Sequence, residues 1–132
     1  MWPTNYTNNM SDILYKDLSY KLNGILFEVQ NKLGTKFQEK HYQKAICSLL
    51  KKQNIPFQTE LSFNLDFDGE PLGKFRADLV IDSKILVELK AADRLTSENK
   101  QQTLRYLEAL KLNLAPLVNF RIRPLQIWRI VN

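Results

Sequence analysis

One cysteine and one histidine in 132 residues leave several kinds of chemistry without their residues. Cys47 alone forbids an internal disulfide and a thiolate zinc site. It sits in the apolar stretch Ala45-Ile46-Cys47-Ser48-Leu49-Leu50 and reads as a small core residue. A catalytic thiol would have only His41 to call on, and His41 reads as a surface residue. No apolar run approaches the length of a membrane span, and the polar start from Met1 to Asn9 lacks the apolar region of a signal peptide. A cytoplasmic protein without a membrane partner is the expectation. Charge of one sign is not extreme either. A net charge of +5 and a pI near 9.4 tilt towards an anionic partner, no more.

What is present suits one soluble domain: 44% hydrophobic and 25% charged residues. Residues 1–10 read as a flexible tail and 11–132 as a single domain. Ser11 and Asp12 are helix-start residues, and Ile13, Leu14, Leu18, Leu22, Ile25, Leu26 and Val29 recur at helical spacing towards Leu33, before Gly34. A second helix spans about Phe37 to Lys52, stopped by Asn54 and Pro56. Phe57 to Phe67 alternates as a strand, with Asp68-Gly69-Glu70-Pro71 as a turn. Two further strands, 75–81 and 85–90, form a hairpin. A helix capped by Thr96 or Ser97 runs to about Leu112, and strands 115–121 and 125–131 follow. The order ααβββαββ implies an α/β fold: a mixed central sheet flanked by helices, with the 75–90 hairpin at its centre.

That hairpin carries the informative residues. Asp78 is followed ten residues later by Glu88, and Lys90 lies two beyond, on the same face of its strand. Two acids and a lysine on a largely apolar strand pair are costly to half-bury. The cost has a purpose if the acids hold Mg²⁺ or Mn²⁺ and the lysine meets a phosphate or an attacking water. Phosphodiester hydrolysis wants this set; an ordinary solvated hairpin face is the plain alternative. Geometry adds a condition. A two-residue turn at Ser83-Lys84 puts Asp78 opposite Leu89, on the wrong face. A three-residue loop, Asp82-Ser83-Lys84, puts it opposite Glu88.

These elements and residues resemble the PD-(D/E)XK nuclease superfamily, with its restriction-endonuclease-like core, and within it the small GxxExxY proteins. The segments that carry the resemblance are 28–34, 37–42, 75–80, 87–91, 102–107 and 117–120. It implies metal-binding acids at Asp78 and Glu88 and a catalytic lysine at Lys90. It also implies a supporting metal acid at Glu39, with Gln102 and Tyr106 positioning lysine, water or phosphate from one face of a helix. Tyr42 matches the tyrosine of the family name, as a core aromatic or a contact residue. The first glycine of that name falls on Lys36 here, with Gly34 kept just before it. The substrate implied is nucleic acid, DNA ahead of RNA. The alternative is a catalytically silent module that binds nucleic acid or a protein.

Basic residues complete the reading. Arg76 either grips phosphate or pairs with Asp78 or Glu88. Lys100 and Arg105, with Arg94 and Lys111, make the later helix basic, and Lys40, Lys44, Lys51 and Lys52 do the same for the earlier one. Such faces serve a phosphate-tracking groove or merely keep a helix solvated. A chain this short would embrace a duplex as a two-fold homodimer.

Overall fold

The computed structural model describes residues 15–132; Ser11, Asp12 and the expected tail lie outside the described residues. Helix α1 (Lys16–Leu33) buries Leu22, Ile25, Leu26 and Val29, one stripe at the period of the helix. It ends where Gly34 takes φ 81°, a value glycine reaches freely, and donates its N–H to the Gln30 carbonyl. Helix α2 (Glu39–Lys52) begins with the Gln38 N–H donating to Nδ1 of His41 at 3.1 Å. It buries Tyr42, Ile46 and Leu50.

Five strands follow in sheet order β1-β2-β3-β4-β5. Strand β1 (Phe57–Phe67) and β2 (Glu70–Ile81) form a long antiparallel hairpin, and β3 (Ile85–Lys90) returns antiparallel to β2. Helix α3 (Ser97–Leu110) carries the chain to β4 (Leu114–Asn119), which lies parallel to β3, and β5 (Gln126–Val131) closes the sheet antiparallel to β4. A parallel pair needs such a crossover. Helix α3 starts in a capping box: Thr96 Oγ1 accepts from the Asn99 N–H, and Asn99 Oδ1 accepts from the Thr96 N–H, each at 3.1 Å. This is the mixed α/β sheet expected from the sequence. The turn before β2 is shorter than expected. Asp68 and Gly69 alone turn the chain, both at positive φ, and Glu70 and Pro71 already pair with Phe67 and Asp66. No described helix is long and apolar enough to cross a membrane.

Two apolar cores lie against the sheet. One packs α1 and α2 onto Leu79, Ile81, Ile85, Val87 and Leu89. The other packs α3 onto Val80, Leu86, Ala115 and Leu117, the alternate residues of the same strands. The alternation breaks once. Phe57, Leu79 and Ile81 belong to the first core, while Leu61, Phe63, Phe75 and Ala77, also odd-numbered, belong to the second. The switch falls at Glu60, which takes φ 50°, and at its facing residue Asp78; pairing resumes on either side. A non-glycine residue in that region of φ marks a local departure from strand geometry. The departure sits at the motif acid.

Candidate active site

The hairpin loop has the length the acid pair requires. Leu79 faces Val87, Val80 faces Leu86 and Ile81 faces Ile85, so the loop is Asp82-Ser83-Lys84, with Asp82 and Ser83 at positive φ. Continuing that register places Asp78 opposite Glu88. At this point the backbone ladder stops and side chains take over. The Asp78 N–H donates to Glu88 Oε2 at 2.8 Å, and the Leu89 N–H donates to Asp78 Oδ2 at 2.8 Å. Each acid thus caps the opposing strand, and the two carboxylates are drawn into one place. Gln43 of α2 donates from Nε2 to the Asp78 carbonyl at 2.7 Å. The N–H and the carbonyl of Asp78 are thereby both satisfied.

Burial makes this pair expensive. Glu88 is only 5% exposed. Desolvation and then the neighbouring charge of Asp78 raise its carboxyl to about 8. Desolvation also raises the Asp78 carboxyl, against the pull of the Leu89 N–H. Glu39 adds to both rises, and Lys90 opposes both. Two acids that resist ionisation side by side lack a positive partner. Lys90 does not fill that place: it lies half-buried at the end of β3, outside ion-pair distance of any carboxylate among the described residues.

Glu39, the first residue of α2, reaches across so that its Oε2 accepts from the Ala91 N–H at 3.3 Å. The helix junction before it is undisturbed by Lys36, because the positive φ belongs to Gly34. Tyr42 is a core residue. It is fully buried and stacks on Phe120 at 4.3 Å; its hydroxyl donates to the Gly34 carbonyl and accepts from the Phe37 N–H. On α3, Gln102 Nε2 donates to the Tyr106 hydroxyl at 3.2 Å. Burial raises the Tyr106 hydroxyl pKa, and the charges of Glu88 and Asp78 raise it further, so this helix face looks onto the acids. Tyr106 also lines an apolar cavity of about 410 Å³ with Phe63, Phe75 and Arg105.

Three placements bear on the expected site. The metal triad of Asp78, Glu88 and Glu39 is not assembled as a group: among the described residues no three His, Cys, Asp or Glu side chains converge as cation ligands. Arg76 pairs with neither motif acid; its guanidinium lies 4.0 Å from Glu60 and both side chains are mostly exposed. Lys100 is not beside the acids, because it lines a surface recess against Trp128 and Arg129 of β5, on the far side of β4.

Two residues that hold the site escaped the sequence reading. Gln43 lies four residues after Glu39, hence on the same helix face, and that spacing was a usable signal. Asn119 faces Lys90 across the parallel strands and is fully buried. Its side chain binds both the N–H and the carbonyl of Ala92 and so fixes the chain just beyond the lysine. A polar residue ending an apolar strand gave only a faint hint of this.

The comparisons with known proteins bear on the family and the fold. No curated protein matches the chain. The crystal structure of SSO0001 is similar in fold, with a TM-score of 0.55 at 22% identity. The match covers 89% of this chain and 60% of that one, so this chain spans little more than half its length. The family model of the PD-(D/E)XK nuclease superfamily matches residues 16–130, which include every strand but the last residue of β5 and all three helices. The chain belongs to the PD-(D/E)XK nuclease superfamily.

Proposed function

We propose that this protein is a divalent-metal-dependent nuclease of the GxxExxY type, cutting DNA in preference to RNA. One observation carries the reading: half-buried Asp78 and buried Glu88 face each other across β2 and β3, with no cation within ion-pair distance of either among the described residues. Such a donor set fits Mg²⁺ or Mn²⁺, which favour carboxylate oxygens. Asp78 and Glu88 would hold the ion, with Glu39 turning from the Ala91 N–H to support it. What a divalent cation supplies in such a place is charge neutralisation on the phosphate and a lower pKa for the attacking water. The chain's own residues do the rest. Lys90, outside ion-pair distance of any carboxylate among the described residues, meets a phosphate oxygen or holds the water. Gln43 and Asn119 keep the two strand ends where the acids and lysine can act together. The Gln102–Tyr106 pair closes the α3 side and excludes bulk water.

The rival reading is a silent nuclease-fold module, favoured by the backbone N–H groups that already occupy the three carboxylates. Cleavage of labelled single- and double-stranded DNA and RNA with Mg²⁺ or Mn²⁺ separates the two. Cutting that is lost in EDTA and in Lys90→Ala supports the nuclease. Intact substrate in every arm, with the wild-type protein folded, supports the silent module.

A further inference from the structure

A groove of about 800 Å³ lies between α2 and the edge strand β1, with Gln43, which binds the Asp78 carbonyl, in its wall. Lys40, Lys44, Lys51 and Lys52 line it, all exposed. Among the described residues none of the four is within ion-pair distance of a carboxylate. The single acid in the wall is Glu60, whose charge Arg76 partly offsets. Two wall residues also touch the motif: Gln43 holds the Asp78 carbonyl, and Glu60 is the residue opposite Asp78. The groove wall therefore reaches the backbone of the motif acid.

Helix stability does not account for all four lysines. Lys51 and Lys52 suit the negative end of the α2 dipole, but Lys40 lies in its first turn, where a cation is unfavourable. From Lys40 to Lys51 the helix rises roughly 16 Å at 1.5 Å per residue, enough to face several successive phosphates.

We propose that this groove is the track along which the phosphate backbone of one nucleic-acid strand reaches the acid pair. The inference deepens the nuclease reading and rests on it for what happens at the groove's inner end. The lysines act as point charges on phosphate, so the groove grips the backbone without reading sequence. A strand entering here passes Lys51 and Lys44 before meeting Gln43 and Asp78.

The test measures binding of fluorescently labelled single-stranded and duplex oligonucleotides across a salt series, in EDTA so that nothing is cut. Lys44→Gln/Lys51→Gln is compared with wild type and with Lys16→Gln/Lys21→Gln, which removes the same charge from α1. For single strands, losing two phosphate contacts should lower the slope of log K against log salt by roughly 1.4 and weaken binding about ten- to a hundredfold at low salt. The α1 variant should stay close to wild type. Equal losses in both variants, or an unchanged slope in the groove variant, would overturn the proposal. A larger affinity loss in the groove variant for single strands than for duplexes assigns the track to one strand; a larger loss for duplexes overturns that assignment. If the wild type cuts and the groove variant binds and cuts as well, the groove is wrong and the nuclease reading stands. If nothing is cut but the groove variant alone loses binding, the groove stands and the nuclease reading falls.

Discussion

The two faces of the sheet are built from alternate residues of the same strands, yet they do different work. Under α1 and α2 the core is closed: Leu26, Ile46, Leu50, Ile81 and Ile85 are completely buried, and the Tyr42 hydroxyl and the Gln30 amide N–H groups within it are hydrogen-bonded. Under α3 the core is mixed. Tyr106 packs edge to face on Phe63 and Phe75, which stack on each other beside an open cavity, and the acids lie near them. The first face supplies stability. The second holds groups that cost stability, and it can do so because the first anchors the same strands. Glu60 and Asp78 mark the seam, where the chain switches its side chains from one face to the other.

The sharpest way to separate the faces is to remove chemistry without touching packing. Lys90→Ala should reduce cutting by at least about a thousandfold, in line with losing a group that acts on the reacting phosphate, while the melting temperature in EDTA stays near wild type. A large fall in both would mean that Lys90 is structural. The complementary change is Ile46→Ala in the closed core. It should cost about 2–5 kcal/mol of stability, with cutting preserved at temperatures where the variant remains folded, as read by denaturant unfolding beside an activity assay.

A pH effect comes next in size. The folded-state Glu88 carboxyl is raised from its ordinary 4.5 to about 8. Its contribution to stability is therefore fully present below about 4.5 and lost as pH climbs through 8, at up to ~1.4 kcal/mol per pH unit. Asp78 pulls in the same direction. Thermal unfolding in EDTA should thus show falling stability from weakly acidic to weakly alkaline pH. Glu88→Gln should flatten that fall and be the more stable protein at pH 8. A profile that the substitution leaves unaltered would remove the buried-acid argument. The smallest effect belongs to Tyr106→Phe. With the hydroxyl gone and the ring kept, cutting should drop only a few-fold, about 1 kcal/mol for one hydrogen bond, and the aromatic packing should hold.

Much of this was legible from the chain. The spacing of Asp78 and Glu88 and the absence of a two-residue turn signal between them were enough to pose the register question, and the loop 82–84 settles it as required. Helical stripes at Leu22, Ile25, Leu26 and Val29 were equally plain. Less visible was anything that depends on a break in periodicity. The odd-numbered apolar residues from Phe57 to Phe67 suggest one continuous face, and nothing in Glu60 as a residue type announces a positive φ. Lys100 illustrates the other limit: its place on a basic helix was readable, but not that this position looks towards β5 rather than the acids. Gln43 and Asn119 act on backbone groups exposed by that local geometry, so their roles emerge only once the strands are in place.

Calorimetric titration of Mg²⁺ or Mn²⁺ near pH 7, repeated in buffers of different ionisation enthalpy, tests the central claim most directly. A cation held by Asp78 and Glu88 must displace the proton that burial keeps on the pair. Binding accompanied by release of about one proton, and abolished by Glu88→Gln, is the predicted result. No binding, or binding that Glu88→Gln leaves intact, would contradict it.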